Sequence, residues 1–441
     1  MADFSAVTVD FSAACGKVKA MNCVNNGPFG SGRKNDALYA AAHFPFARNH
    51  DAAFEASYGL EYTVDVVNVF RNFDADENDP ASYDFRATDV YIARTFAAGT
   101  TTYYRLGNKI EHGKKKYGVL PPKDFRKWAR ICEHIIAHYV EGFADGYTYD
   151  MPYWEIWNEY DCFNADGTSP CWSGTFEEFY DFFEIAAKHL KARFPKLKIG
   201  GPAQVGAPSA EAENFIRTMC ERQVPLDFYS FHHYTPQPHS YADCVRGVRA
   251  LLDKYGYTGA EIHLNEWNYV EGWAGEAIKR TYRTIPSMKG AAFVATAMLD
   301  CLYAPLDLFM YYDARPCGFN GLFGGYPSGV YKPYYAFIAF DVLRSLGTLV
   351  NCESDDESIV AAAATDGENG AVMLAYYAME ADAPAKDVKI APGRSAKQAE
   401  WLLLDEAHDL VPVQVDTLNG TEDALYAVMK PNSVYLVRLT R

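Results

Sequence analysis

The sequence predicts an α/β protein in which a (β/α)8 TIM barrel is followed by a smaller β-sandwich domain. Between residues 16 and 344, short apolar segments alternate with longer amphipathic segments, which is the pattern and the size of such a barrel. After residue 345 the helical period disappears, and strand-like segments separated by Gly, Pro, Asn and Asp follow one another. We therefore expect a catalytic barrel over 16–344 and a β-sandwich over 345–441. Residues 1–15 are expected to form a strand that pairs into the sandwich.

Eight short segments are predicted to be the barrel strands. Each is a brief run of mainly apolar residues, rich in aromatic and β-branched side chains, that ends in polar residues. In chain order they are 18–25, 43–51, 101–108, 153–159, 198–203, 227–234, 261–268 and 308–313. A doubly wound parallel sheet is the structural alternative, but its first strand is usually followed by a Gly-rich phosphate turn. The turn after the first segment here is Asn25-Asn26-Gly27-Pro28, which does not have that composition.

The segments between these strands have the three- and four-residue spacing of helices that bury one face. The clearest example begins at Pro121, and its apolar residues recur from Trp128 to Tyr139. The predicted helices are 84–98, 121–139, 176–194, 211–222, 241–255 and 289–303. The helices and strands together complete the alternation that a (β/α)8 barrel requires.

The C-terminal region is predicted to be all β. Its strand-like segments are 358–365, 370–378, 387–390, 398–405 and 433–439. Residues 4–11 also alternate between apolar and polar side chains, as a half-buried strand does. Because this strand precedes the barrel in the chain, we expect it to join the C-terminal sheet. No Ser- or Gly-rich linker separates the two regions, so the domains are expected to pack tightly.

The overall charge argues against two classes of partner. The formal net charge is -16 at pH 7, so an acidic surface repels both nucleic acid and anionic membranes. No apolar run approaches the roughly 20 residues that a membrane-spanning helix needs. The N-terminal residues lack the basic start and apolar run of a signal peptide. We therefore expect a cytoplasmic protein, unless a leader has been removed.

The ten cysteines do not indicate a metal or redox site. No two of them have the spacing of a Cys-x-x-Cys pair, and no His-Glu-x-x-His motif is present. Several cysteines lie within apolar helical patterns, as reduced thiols of a protein core do. The sequence therefore predicts neither a metal nor a cofactor.

Polar side chains collect where the predicted strands end. Because the carboxyl ends of barrel strands share one mouth, these side chains are expected to lie close together. They are Asn25, Arg48, His50, Asp51, Asn108, Asn158, Glu159, His232, His233, Tyr234, Asn265, Glu266, Tyr312 and Asp313. Glu159 ends the fourth strand and Glu266 ends the seventh, which puts two carboxylates across a small opening. Cleavage of a glycosidic bond with retention uses such a pair, about 5–5.5 Å apart.

Five of the strand ends carry recognisable motifs. They are Arg48-Asn49-His50-Asp51, Trp154-Glu155-Ile156-Trp157-Asn158-Glu159, Gly200-Gly201-Pro202-Ala203, Phe231-His232-His233-Tyr234 and Leu264-Asn265-Glu266-Trp267-Asn268. In combination they resemble glycoside hydrolase family 39 of clan A, the family of β-xylosidases and α-iduronidases. The resemblance covers nearly the whole chain, including the C-terminal sandwich. Two positions depart from the usual pattern, since Tyr160 follows Glu159 where proline is usual and Phe231 stands where tryptophan is common.

The resemblance implies a role for each residue at the mouth. Glu159 would be the acid/base, Glu266 the nucleophile, and Asn158 a ligand of the sugar 2-hydroxyl. The predicted substrate-binding residues are Asn158, His50, Asp51, His232, Tyr234, Trp267 and Tyr312. His232 and Tyr234 are candidates to keep Glu266 ionised. Each role has a structural alternative: a salt-bridged strand-end carboxylate, a turn-capping amide, a buried structural histidine, or core packing for the aromatic rings.

The predicted function is a retaining exo-glycosidase that removes xylosyl, arabinosyl or similar residues from plant or host glycans. One alternative is another clan A enzyme, an arabinofuranosidase or an endo-acting glycanase. A second alternative, from a different class, is a non-catalytic barrel that only binds carbohydrate. The expected partner is an oligosaccharide or glycoside substrate. Relatives in this family often associate, so the resemblance also allows a homo-oligomer.

Overall fold

The structure is a computed structural model, and it describes residues 4–28, 35–50, 63–315, 317–324, 329–380, 382–393, 396–420 and 423–440. These residues form a closed barrel of eight strands and a sheet of nine strands. Every neighbouring pair of barrel strands is parallel, including the pair that closes the barrel. The predicted (β/α)8 barrel with a C-terminal β-sandwich is confirmed.

The barrel strands occur in chain order around the barrel. They are β2 (Ala20–Asn25), β3 (Phe46–Arg48), β4 (Thr101–Leu106), β5 (Tyr153–Ile156), β6 (Lys198–Gln204), β7 (Phe228–Tyr234), β8 (Glu261–Asn268) and β9 (Leu308–Tyr311). A small cluster of buried side chains fills the lower part of the barrel. Its members are Cys23, Tyr103, Tyr153, Phe228, Leu308 and Met310. Because this layer is packed, a ligand is expected at the upper end of the barrel, where the strands end in polar residues.

Helices surround the barrel and bury one face against it. They are α1 (Asp36–Ala41), α2 (Val66–Val69), α3 (Arg86–Ala97), α4 (Phe125–Val140), α5 (Phe176–Arg193), α6 (Ala210–Glu221), α7 (Ser240–Lys254), α8 (Gly275–Thr284), α9 (Met288–Cys301) and α10 (Lys332–Leu346). Asp124 begins α4 by accepting hydrogen bonds from the backbone of Arg126 and Lys127. Helix α10 was not predicted from the sequence. The helix is buried between the barrel and the nine-stranded sheet, so its residues from 333 to 340 are all apolar and show no helical spacing.

The second sheet contains the N-terminal strand as well as the C-terminal ones. Strand β1 (Ser5–Lys17) pairs antiparallel with β10 (Thr348–Ser354) and parallel with β13 (Lys386–Ala391). The remaining strands are β11 (Ile359–Thr365), β12 (Gly370–Tyr376), β14 (Gln398–Leu404), β15 (Asp409–Thr417), β16 (Leu425–Met429) and β17 (Ser433–Thr440). The sequence analysis did not identify β10, β15 and β16. Two of these, β15 and β16, are the edge strands of the sheet, where alternating burial is weakest.

The sheet packs directly on the barrel through α9 and α10. Side chains of both helices share one buried cluster with β11, β12, β14 and β17. Phe293 of α9, for example, meets the ring of Tyr377 edge-on at 5.7 Å. Within the described residues, no helix is both long and apolar enough to span a bilayer. The sheet covers the side of the barrel at α9 and α10, so the carboxyl ends of the barrel strands remain available for a site.

Candidate active site

The end of β5 places two side chains at the barrel mouth. Trp157 and Glu159 have positive φ angles of 72° and 46°, so the backbone turns sharply after the strand. The turn is held on both sides, because the amide of Trp157 donates to Leu106 O at 2.7 Å and that of Glu159 to Ala203 O at 2.9 Å. Strained backbone of this kind is common where a fold fixes functional side chains. It presents Asn158 and Glu159 to the same opening.

The end of β8 presents Glu266 from the opposite side. The pairing of β8 shifts register between Phe231 and His232 on one side and between Leu264 and Trp267 on the other. Such a bulge interrupts the alternation of a strand and redirects side chains. As a result two consecutive residues, Asn265 and Glu266, both reach polar partners inside the barrel.

The two carboxylates lie close together across the mouth. One carboxylate oxygen of Glu159, one of Glu266 and a ring nitrogen of His232 all lie within 4.8 Å of one another. His232 Nδ1 is 2.7 Å from Glu159 Oε1 and 3.5 Å from Glu266 Oε2. Burial lowers the pKa of His232 to about 4, so the ring is neutral at neutral pH. A neutral ring carries one proton, and with that proton on Nδ1 the ring donates a hydrogen bond to Glu159 Oε1.

Arg48 organises the floor of the site. Its guanidinium donates to Glu155 Oε2 at 2.6 Å, to Glu266 Oε1 at 2.8 Å and to Asn158 Oδ1 at 2.7 Å. All four side chains are buried. We call Arg48, Glu155, Asn158 and Glu266 the Arg48 cluster. A planar guanidinium holds several acceptors in fixed directions, so this cluster sets the orientation of both Glu266 and Asn158.

Glu155 is the buried counterion of the cluster. Besides Arg48, it accepts hydrogen bonds from Ser230 Oγ at 2.6 Å and Asn265 Nδ2 at 2.5 Å. These partners give Glu155 a structural role. With every oxygen occupied and no exposed surface, it supports the site without facing a ligand.

Replacing Glu155 is therefore expected to destabilise the barrel. Glu155→Leu would leave Arg48 buried with a full charge and fewer acceptors, which typically costs about 3–5 kcal/mol. Guanidinium unfolding followed by tryptophan fluorescence would show the loss as a lower midpoint. Glu155→Gln, which keeps an acceptor for Arg48, should lose less, and Glu353→Leu on the surface should lose little. An unchanged midpoint in Glu155→Leu would contradict the role given to this residue.

Some neighbours of Glu266 favour its ionised form, whereas its burial opposes ionisation. Burial raises its pKa, and the nearby Glu159 acts in the same direction. Arg48 and the Tyr234 hydroxyl act to lower it, and the net shift is upward. The Tyr234 hydroxyl donates to Glu266 Oε2 at 2.7 Å. A carboxylate with both oxygens bonded on the floor of a cleft has the fixed direction that a nucleophile needs.

Glu159 and Asn158 are less completely engaged by the protein. Glu159 is 9% exposed and Glu266 is 5% exposed, so both reach the opening. The Cys171 thiol lies 3.9 Å from Glu159 Oε2. Among the described residues, no partner accepts a hydrogen bond from Asn158 Nδ2, although this atom is buried. A buried amide donor without a partner is a position where a ligand hydroxyl would be accepted.

The other predicted site residues are distributed differently. His50 is buried, with Nε2 3.7 Å from Glu266 Oε1, and its ring lies 6.4 Å from that of Tyr312. Tyr312 is half-buried and also lies 6.4 Å from the ring of Tyr234. The structure thus gathers His50, Tyr234 and Tyr312 around Glu266. Asp51 lies outside the described residues.

Trp267 does not face the mouth. Its ring is fully buried and stacks on Phe309 at 3.9 Å, with Tyr241 and Tyr311 edge-on to it. The register shift that turns Glu266 inward leaves the next side chain on the outer face of β8. Trp267 therefore packs in the core, which was the structural alternative for the aromatic rings, and its ring has no face open to a sugar.

An aromatic wall on the rim was not predicted from the sequence. Trp273 is 62% exposed, and its ring lies 5.2 Å from Tyr234 and 5.7 Å from Phe319. Phe319 in turn lies 6.0 Å from Tyr312. Rings of this kind stack on the C–H faces of sugars. The signal was a tryptophan in the Gly-Trp-Ala-Gly loop directly after a strand that ends in a candidate nucleophile.

A parallel barrel with two facing carboxylates and an arginine-centred floor places the chain in the class of barrel glycoside hydrolases. The chain belongs to glycosyl hydrolases family 39, whose family model matches residues 7–300.

Two curated relatives and one solved structure illustrate the similarity. The chain is 26% identical to a beta-xylosidase of Caldicellulosiruptor saccharolyticus over 292 residues, which are 61% of this chain and 54% of the relative. It is also 26% identical to a beta-xylosidase of Geobacillus stearothermophilus over 243 residues, or 46% of this chain and 44% of the relative. The chain therefore spans about half the length of these relatives. A glucosidase structure from Croceicoccus marinus superposes with a TM-score of 0.79 at 20% identity and covers the whole of both chains, which shows a shared fold.

Proposed function

We propose that this chain is a retaining glycoside hydrolase in which Glu266 is the nucleophile and Glu159 is the acid/base. The observation that carries the proposal is the approach of the two carboxylates, whose nearest oxygens lie within 4.8 Å of each other. Retaining enzymes hold their carboxyl groups about 5–5.5 Å apart, whereas inverting enzymes leave about 6.5–9.5 Å for a water molecule. The distance across this mouth favours direct attack by a carboxylate.

The surroundings of the two groups assign the roles. Two carboxylates this close do not readily carry charge together, so one of them holds a proton. Arg48 and Tyr234 stabilise charge on Glu266, which leaves the proton on Glu159. His232 donates to Glu159 Oε1, so the proton that the leaving oxygen takes is on Oε2.

The two steps follow from this distribution of charge. In the first, Glu266 attacks the anomeric carbon while Glu159 protonates the leaving oxygen. Once Glu266 is esterified it is neutral, so Glu159 no longer faces a negative neighbour and can accept a proton from water. In the second step that water releases the sugar with its original configuration. Asn158 Nδ2 is placed to donate to the sugar 2-hydroxyl, a contact that strengthens in the transition state.

For the substrate we propose terminal β-xylosyl residues. The support is the two relatives that are described as beta-xylosidases. The aromatic wall of Tyr234, Trp273 and Phe319 would hold the sugar or the group beyond it. Arabinosyl and glucosyl residues are the competing substrates. A barrel that only binds carbohydrate would have no need of two carboxylates at this distance.

A panel of nitrophenyl glycosides tests the proposal. We expect the β-xyloside to be cleaved with the highest kcat/KM, ahead of the α-arabinofuranoside and the β-glucoside. NMR of the reaction at early times should show β-xylose as the first product. If α-xylose appeared first, the retaining mechanism would be excluded. If no glycoside were cleaved while xylo-oligosaccharides bound in calorimetry, the binding-protein alternative would be supported instead.

The pH profile gives a sharper test of the contact between Tyr234 and Glu266. Glu266 must be ionised to attack, and its pKa is raised from 4.5, so the acidic limb of kcat/KM should lie above pH 4.5. Activity is then present above that pKa and lost as the pH falls through it. The hydrogen bond from Tyr234 lowers this pKa, so Tyr234→Phe should move the acidic limb to higher pH. Tyr255→Phe, at the end of α7, is the control and should leave the limb unmoved. A shift to lower pH in Tyr234→Phe would contradict the assignment.

A further inference from the structure

Two cysteines lie beside Glu159. The Sγ atoms of Cys162 and Cys171 and one carboxylate oxygen of Glu159 all lie within 4.8 Å of one another. Cys171 is buried and Cys162 is partly exposed, and both are reduced. The mechanism proposed above uses neither thiol.

The loop after β5 builds this cluster. The amide of Cys162 donates to the carbonyl of Glu159 at 3.0 Å, which keeps it one turn away from the carboxylate. Cys171 is fixed by its backbone: the indole of Trp157 donates to its carbonyl at 2.9 Å, and its amide donates to Ser169 Oγ at 3.2 Å. The loop therefore folds back so that residues nine positions apart meet at the acid/base. A spacing this long has no motif, which is why the sequence predicted no metal ligand here.

We propose that Glu159, Cys162 and Cys171 form a binding site for a thiophilic divalent cation, such as Zn²⁺ or Cd²⁺, whose occupation inhibits the enzyme. Two thiolates and one carboxylate are a donor set that such ions prefer, and three protein ligands leave a fourth position open to water. The ion takes the oxygen on which the mechanism needs its proton. The inhibitory effect rests on the proposed role of Glu159, whereas the binding does not.

The distances fit this ion with small movements. Zinc–sulfur bonds of about 2.3 Å and zinc–oxygen bonds of about 2.0–2.2 Å place tetrahedral ligands roughly 3.5–3.8 Å apart. Cys171 Sγ is 3.9 Å from Glu159 Oε2, and no pair in the cluster exceeds 4.8 Å. His232 holds the other oxygen of Glu159, so the carboxylate already points toward the sulfurs. Only the partly exposed Cys162 side chain needs to adjust.

Binding of the cation depends on the protons that its three ligands carry. Thiols and carboxyl groups must lose their protons before they can bind a cation, so the occupation of this site depends on pH. Binding must release both thiol protons and the proton that Glu159 carries on Oε2, and the cation takes their place. Affinity is therefore expected to rise with pH. A chelator should restore activity, because no covalent bond to carbon or between the sulfurs is formed.

Cadmium titration of the full chain tests the site directly. The protein would be kept reduced with a phosphine, and binding would be followed by the ultraviolet absorption of cadmium–thiolate bonds, which is independent of turnover. We expect one Cd²⁺ per chain, and loss of activity in step with the absorption. Cys162→Ser and Cys171→Ser should each raise the half-saturating Cd²⁺ concentration by at least about tenfold and reduce the absorption. Near-ultraviolet circular dichroism checks that each variant is folded.

Two matched variants separate this cluster from other thiols. Cys220→Ser removes an exposed thiol on α6, and Cys317→Ser removes one whose sulfur lies 3.7 Å from Asp313 Oδ2 near the mouth. Neither should change the titration. Equal Cd²⁺ affinity in Cys162→Ser, Cys171→Ser and the wild type, or loss of binding in Cys317→Ser alone, would overturn the proposed site. A protein that shows the full thiolate absorption yet keeps full activity would uphold the binding and overturn both the inhibition and the acid/base role of Glu159.

Discussion

Glu266→Ala is expected to lower kcat/KM for every cleaved aryl glycoside by about 10⁵-fold or more, the scale seen when a covalent nucleophile is removed. No other carboxylate of the described residues lies at the same place on the floor of the mouth. Arg48 would lose one acceptor but keep Glu155 and Asn158, so the barrel should remain folded. Steady-state kinetics on the nitrophenyl β-xyloside, with circular dichroism as a check of folding, measures the effect.

In Glu266→Ala the missing carboxylate leaves a cavity, and this cavity allows a second test of the nucleophile. A small anion such as azide should enter it and attack the anomeric carbon in one displacement, giving a glycosyl azide of inverted configuration. Glu261→Gln is the matched control, because it lies at the other end of the same strand and pairs with Lys198 and His263. It should keep nearly full activity. A Glu266→Ala enzyme with more than a few per cent of wild-type kcat, free of contaminating wild type, would disprove the nucleophile assignment.

The sequence predicted the pairing of Glu159 and Glu266 because topology alone brings strand ends together. In a parallel barrel every strand contributes its carboxyl end to one opening, so 107 residues of separation do not matter. The fold class followed from the same regularity. The distance between the carboxylates, however, depends on the left-handed turn at Glu159 and on the bulge in β8. Neither has a composition signal, since glycine does not occupy these positions.

The same bulge explains why the directions of the side chains at the end of β8 could not be predicted from the sequence. Strict alternation would put Asn265 and Glu266 on opposite faces of β8, yet both point inward and Trp267 points outward. Arg48 appeared in the sequence only as one polar strand end among several. Its hydrogen bonds to Glu155, Asn158 and Glu266 can be foreseen only if Glu155, two strands away, is known to lie inside the barrel. Contacts inside the barrel between strands about a hundred residues apart depend on the stagger of the strands and on the direction of their side chains. Neither can be read from a single sequence.

Glu159→Ala is expected to have an effect that depends on the leaving group. A glycoside with a poorly acidic leaving group needs the proton of Glu159, so its kcat/KM should fall by about 10²–10⁴-fold. A dinitrophenyl glycoside leaves without help, and its first step should be nearly unaffected. The second step still lacks the base that activates water. The glycosyl-enzyme should therefore accumulate, which would be seen as a burst of dinitrophenol followed by slow turnover.

Azide again distinguishes the two carboxylates. In Glu159→Ala it would attack the glycosyl-enzyme on Glu266 and give a glycosyl azide of retained configuration, opposite to the product of Glu266→Ala. The variant should also lose the basic limb of its pH profile, because that limb reports the proton on the acid. Asp166→Asn, in the exposed part of the same loop, is the control and should behave as wild type. Because each carboxylate predicts one azide anomer, an exchange of the two products would mean that the roles of Glu159 and Glu266 are reversed, even if both variants were inactive without azide.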